Sequence, residues 1–301
     1  MISNNNNHRD DDDEFRFAKK HTRRFPSHIS KTLNTSIDNS TFDCDVLTKN
    51  LYLKIDSILT SYFWLEMKSY IINWLNLQQS NVFDIVCYGL GHISSSVSSQ
   101  YQYCLLKLIS QIFVDQVKTI FIYDPIWTTG EIDYLKSNIS CQILNENDEA
   151  CYQIVRSTLF FIPFCGKPLH NNILWSNWSQ NCLRQILIFG NSLNMFQQGL
   201  HFDINKFFYI YYSTCFCTEY SLPQFDIFPI AFNQQVFVSF EQRKILPQLN
   251  GIKQIKTSRR NKTSSIHKQL EFTSIELVPN DIWIHNEKPF YTEEDEIIKG
   301  N

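Results

Sequence analysis

The chain has 301 residues, a formal net charge of −3 and 43% hydrophobic residues. That length holds one large domain with tails or two small ones, with apolar material for a sizeable core. The slightly acidic balance argues against phosphate-backbone binding by the chain as a whole. The longest apolar-looking run, Phe207–Cys217, is too short and too polar to span a bilayer, so neither nucleic acid nor a membrane is an expected partner.

Aromatic residues make up 15% of the chain, an excess assigned first to core filling. Nine cysteines, an odd number, are scattered through expected core segments and read as buried thiols rather than disulfides. No apolar stretch follows Met1–Arg9, so no secretory signal is expected. The default placement is the cytoplasm, with the nucleus also open to it.

Residues 1–42 are of low complexity, with an Asn run at Asn4–Asn7, an acidic run at Asp10–Glu14 and a basic cluster at Lys19–Arg24. Such a segment buries too little apolar area to offset chain entropy, so a disordered tail is expected. Leu47, Leu51, Ile55, Ile58, Tyr62 and Leu65 then keep helical spacing, continued by Tyr70, Ile71, Trp74 and Leu75. This lead-in is one long helix or two short ones, packed on a sheet.

The stretch Val82–Gln102 organises the rest of the chain. Phe83–Tyr88 is a short apolar strand that ends abruptly in Gly89-Leu90-Gly91. A Ser-rich helix start comes next, with Val97, Tyr101, Cys104, Leu105, Leu108 and Ile112 on one stripe. Strand, glycine turn and amphipathic helix form the first unit of a doubly wound sheet. Gly89 permits the sharp turn, and Gly91 lets a ligand approach bare N–H groups at a positive helix end. Ser94 stands where a third glycine often sits. His92, beside the turn, either contacts a ligand or caps a loop.

The second strand, Thr119–Tyr123, closes on Asp124-Pro125. An acid at that tip holds a ribose hydroxyl in dinucleotide-binding and methyltransferase-like folds. The competing reading is an acid that accepts backbone N–H bonds in its own turn. Asp124 also stands farther beyond Gly91 than the usual spacing of about 20 residues.

A helix at Thr128–Asn138 comes after it, capped by Thr128 or Thr129. The third strand is Cys141–Leu144, ending in Asn145-Glu146, and a short connection of some helical character spans Asp148–Arg156. The fourth strand, Thr158–Ile162, runs into Pro163-Phe164-Cys165. Leu169, Ile173, Leu174 and Trp178 mark a helix over 167–178. The fifth strand, Gln185–Phe189, ends in Gly190-Asn191-Ser192, and Phe207–Tyr212 and Val236–Phe240 are further strand candidates. The alternation predicts an α/β fold, Rossmann-like and doubly wound, with a mostly parallel sheet covered on both faces over residues 43–240. In such a sheet the polar strand tips Gly89, Gly91, His92, Ser94, Asp124, Cys165 and Asn191 share one edge and line one cleft, where a small ligand of unknown identity is expected to bind.

Two cysteine candidates are weaker. Cys165 lies near the start of a helix, which lowers a thiol pKa, but no His partner is readable. Cys215-x-Cys217 lacks a second ligand pair for zinc, so no metal is expected. Trp175 and Trp178 read as packing rather than a stacking platform. Residues 241–268 are polar and basic, an expected linker. Asp281–Tyr291 carries Trp283, Ile284, Phe290 and Tyr291, which suit docking back as an edge element. The end, Thr292–Asn301, is acidic.

Several segments together carry a resemblance: VCYGLGHISSSVSSQYQ, IYDPIWT, LNEND, TLFFIPFC, LHNNILWSNW and ILIFGNS, in this order. The chain resembles the SRR-like family, named for "sensitivity to red light reduced", densely over residues 82–195. The Leu169–Trp178 run, with Asn172, Leu174, Trp175, Asn177 and Trp178, is its most specific part. The resemblance implies a regulatory protein acting through partner proteins, with links to circadian-clock gene expression and to haem synthesis. It implies no particular catalytic activity. The family usually has a histidine in a Pro-His-Cys segment where this chain has Phe164, so no ligand role is carried over to that position. An enzyme using S-adenosylmethionine or a nucleotide is the alternative that the glycine turn, Asp124 and Asn191 leave open.

Overall fold

The computed structural model of the protein describes residues 44–240, 282, 285–289 and 291. These belong to one unit, Thr41–Asn301. The expected disordered tail over 1–42, the polar linker over 241–268 and the acidic end from Thr292 lie outside the described residues.

Two helices lead in, α1 (Cys44–Leu59) and α2 (Tyr62–Asn76). Ser61 separates them: its side chain accepts the Trp64 N–H and caps α2. The break resets the helical phase. Leu47, Leu51 and Ile58 are buried on α1, and Phe63, Trp64, Met67, Ile71, Trp74 and Leu75 on α2, whereas Tyr62 and Leu65, expected on the same stripe, are exposed.

The sheet elements then alternate with helices: β1 (Phe83–Tyr88), α3 (Val97–Ile112), β2 (Val117–Tyr123), α4 (Thr129–Asn138), β3 (Gln142–Ile143), β4 (Thr158–Ile162), α5 (Lys167–Ser176), α6 (Gln180–Leu183) and β5 (Ile186–Asn191). After these come α7 (Leu193–Gln197), α8 (Phe208–Ser213), β6 (Cys217–Ser221) and β7 (Gln235–Phe240). The sheet order is β3-β2-β1-β4-β5-β7-β6. The first five strands are parallel, and β7 runs antiparallel between β5 and β6. β1, β4 and β7 are buried along their whole length, as strands covered on both faces must be. The order turns back between β1 and β4, which is the switch point of a doubly wound sheet.

Three expectations change. The run at Phe207–Tyr212 is a helix, not a strand. A short apolar run suits a buried helix as well as a buried strand, and here the Tyr211 N–H bonds the Phe207 carbonyl at 3.0 Å while Tyr209 and Ile210 pack inward. The sixth strand is instead Cys217–Ser221, whose mixed polarity suits a sheet edge. The connection before β4 is irregular, with Glu149 and Ala150 at φ of 52° and 62°. Farther along, Ile282 is buried, its carbonyl accepts the Trp178 indole N–H at 2.7 Å, and the Tyr291 hydroxyl accepts from Asn171 at 2.9 Å. Ile282 and Tyr291 therefore meet the α5 side of the sheet, while the expected Trp283, Ile284 and Phe290 lie outside the described residues.

None of the nine cysteines forms a disulfide. His170 on α5 is fully buried; burial pushes its pKa down to about 4, against the opposing bond at the Gly166 carbonyl. The close approach of α5 to β5 depends on Gly190, where an added Cβ would lie 2.8 Å from His170 Nε2 and 3.0 Å from Ile162 Cγ1. Gly190→Ala is expected to destabilise the protein by about 1–3 kcal/mol through overpacking, read by urea unfolding. Unchanged stability would mean that this helix–strand contact is loose.

Candidate functional site

The strand tips do come together, and they bond one another. Gly89 and Gly91 adopt φ of 69° and 77°, the left-handed region that glycine enters without strain. The turn they make aims the Gly91 N–H at Asp124 Oδ2, 2.7 Å away. Asp124 Oδ1 accepts the Ile126 N–H at 3.1 Å, which closes an Asx turn over Pro125. The acid at the tip of β2 thus ties its own turn to the β1 turn. Burial raises the Asp124 pKa, and the two N–H bonds offset that only in part.

The other side of the loop is held by Glu131, which is fully buried in the first turn of α4. Oε1 accepts from the Ser94 N–H at 3.0 Å and the Ser94 hydroxyl at 2.8 Å. Oε2 accepts the Thr128 N–H at 3.0 Å and lies 2.9 Å from His92 Nδ1. Thr128 returns the bond by accepting the Glu131 N–H at 3.3 Å, which completes a capping box. Burial alone would raise the Glu131 pKa, but the Ser94, His92 and Thr128 bonds outweigh it and the net shift is downward. Trp127 adds a third fastening, its indole N–H donating to the Gly91 carbonyl at 2.9 Å.

At the switch point itself, the Cys165 thiol donates to the Tyr88 carbonyl at 3.4 Å, joining the tips of β4 and β1. Burial, with the nearby Asp124 charge, pushes that thiol well up, so it is a poor nucleophile. Asn191 Nδ2 donates to the Cys165 carbonyl at 2.8 Å, and Gln235 Nε2 donates to Asn191 Oδ1 at 2.8 Å. Gln235 Oε1 in turn accepts the Phe164 N–H at 3.1 Å. This holds Phe164 at φ 58° with the residue 46% exposed, a strained backbone for a bulky residue on an open rim.

Gly89, Gly91, His92, Ser94, Asp124, Cys165 and Asn191 therefore stand in two joined groups along the carboxyl edge. Asn145 and Glu146, at the tip of β3, are exposed, and Asp148 is the residue there that reaches inward, accepting from the Tyr88 hydroxyl at 2.8 Å. Helix α3 starts only at Val97, capped by Ser96, so Gly91 sits a loop away from the helix end. Among the described residues no cluster of three His, Cys, Asp or Glu is placed to hold a metal ion. Trp178 packs edge-on against Tyr209, with ring centroids 5.0 Å apart. The residue that sequence reading passes over is Glu131. Its signal was Thr128-x-x-Glu131, a capping-box spacing that begins at the expected cap.

A doubly wound sheet with a glycine turn after β1 and an acid at the tip of β2 defines a Rossmann-like α/β protein. The SRR1 domain family matches residues 44–285, and the chain belongs to that family. It is 33% identical over 129 residues to "Protein SENSITIVITY TO RED LIGHT REDUCED 1" of Arabidopsis thaliana, a match covering 43% of this chain and 46% of that protein. It is 34% identical over 116 residues to an SRR1-like protein of Mus musculus, covering 38% of this chain and 46% of that one. An SRR1-like protein of Drosophila melanogaster is 24% identical over 184 residues, covering 59% of this chain and 63% of that one. The first two matches span about half the length of those relatives. No solved structure matches the chain. No helix among the described residues is long and apolar enough to cross a membrane.

Glu131→Gln removes a charge that the loop N–H and O–H groups stabilise, and is expected to cost about 1–3 kcal/mol at pH 7. A depressed folded-state pKa gives stability that is present above the ordinary carboxylate range and lost as pH falls through the folded value. The gap between wild type and variant in urea unfolding should therefore close as pH falls below the ordinary glutamate pKa. A gap that stays constant down to acid pH would contradict the stabilised charge.

Proposed function

We propose that this domain is a regulatory, partner-binding module in light or clock signalling. The observation that carries the reading is that the groups a cofactor would engage at the carboxyl edge are engaged by the chain's own atoms: Gly91 N–H with Asp124, and Cys165 with the Tyr88 carbonyl. Membership of a family that includes a relative named for red-light sensitivity supports the signalling assignment. In this reading the regulated outputs are those associated with the family, clock-gene expression and haem synthesis, and the protein works in the cytoplasm with access to the nucleus. The rim that His92 and the outward Phe164 occupy is the surface offered to a regulatory partner.

One observation favours a second reading, an S-adenosylmethionine- or nucleotide-dependent enzyme. A reversed β7 between β5 and β6 is an arrangement shared with methyltransferase-like folds, in which the acid after β2 meets a ribose. A thermal-shift panel of S-adenosylmethionine, NAD and ATP separates the two. The regulatory reading expects a flat panel. An increase of more than about 5 °C with one cofactor, the size a ligand at a hundredfold its Kd produces, that is abolished in Gly91→Val would overturn it.

A further inference from the structure

A cavity lies at the other end of the sheet, at the amino ends of β4 and β5. It measures about 1230 Å³ and is lined by the last turns of α2, the approach to β4, α6 with Gln185, and the end of β7. Among the described residues its walls hold two arginines, Arg156 and Arg184, and no Asp or Glu. Arg156 Nη1 pairs with both oxygens of the buried Asp84, at 2.9 and 3.1 Å, which leaves the rest of that guanidinium for another acceptor. Arg184 Nε bonds the Gln180 carbonyl at 3.2 Å, and Nη2 bonds the neutral Asn181 Oδ1 at 2.6 Å, so its charge has no anionic counterpart among the described wall residues.

The carbonyls at the two helix ends are already covered, by Gln78 Nε2 on Trp74, by Arg184 on Gln180 and by Gln185 Nε2 on Asn181. The negative ends of those helices are therefore masked by side-chain donors. Trp74 also lines the cavity and is 4% exposed, and its buried indole Nε1 has no hydrogen-bond partner among the described residues. A buried N–H without an acceptor is costly and uncommon. Two guanidinium groups in a wall whose described residues include no carboxylate suit an acceptor-rich anion.

We propose that this cavity binds a small organic oxyanion, a phosphate monoester or a polycarboxylate, held by Arg184 and the free part of Arg156. The site lies across the sheet from the Gly91–Asp124 edge, so it stands or falls independently of the regulatory reading. Trp74 reports on it by fluorescence.

The full-length protein is titrated with glucose 6-phosphate, with citrate, with inorganic phosphate and with glucose as a neutral control, by calorimetry and by tryptophan emission. Saturable binding of glucose 6-phosphate or citrate, with glucose silent, is expected, and the stronger of the two identifies the anion class. Asn181→Asp places a carboxylate on Arg184 while keeping the local hydrogen bond, and should weaken binding at least tenfold with an unchanged melting curve. Arg184→Gln should weaken it as much, and Trp74→Phe should remove the emission change. No binding of any anion, or binding that Asn181→Asp and Arg184→Gln leave intact, would overturn the proposal.

Discussion

The hydrogen bond from the Gly91 N–H to Asp124 is the constraint on which the carboxyl edge depends. It needs a glycine because the backbone is at φ 77° and an added Cβ would meet Ser99 Oγ at 2.6 Å. It needs an acid at the end of β2, in register beside the end of β1, where Tyr88 and Tyr123 are partners. It also needs the loop after Gly91 to stay down, which Glu131 and Trp127 ensure from the α4 side. The sheet brings these residues to one edge; their bonds decide what the edge can offer.

That edge combines features that pull in opposite directions. The topology is one that elsewhere holds nucleotides, with a glycine turn at the first strand and an acid at the second. Yet here the turn's donor and the acid meet directly, and a thiol bridges the switch point. A buried carboxylate held by N–H groups costs solvation and regains part of it in hydrogen bonds. Such a network is rigid, and a rigid rim with an outward Phe164 suits recognition of a partner more than closure over a cofactor. The two arginines at the opposite end of the strands give the molecule a second face of different chemistry.

Much of this was legible from residues. Short apolar runs flanked by turn signals placed β1 and β4 to the residue; α4 begins one residue later than expected, with Thr128 rather than Thr129 as its cap. The convergence of Gly91 and Asp124 came from parallel-sheet geometry alone. What was not legible was pairing. Whether Asp124 faces a ribose or the Gly91 amide depends on how the turn is aimed, which spacing does not encode. The α8 segment misled because a short apolar run suits a buried helix as well as a buried strand. β6 was missed because Cys217–Ser221 is a partly exposed edge strand of mixed polarity. The arginine cavity was invisible because its walls come from four separate segments, none with a motif.

The most direct test of the account is the amide of Gly91, followed by NMR hydrogen exchange and by its chemical shift across a pH titration. The account predicts slow exchange, comparable to the buried β1 amides, and a proton shift that follows the ionisation of a single carboxyl group above the ordinary aspartate range, lost in Asp124→Asn. A Gly91 amide that exchanges at the rate of an open loop and ignores pH would show the edge to be unfastened, and the central claim would be wrong.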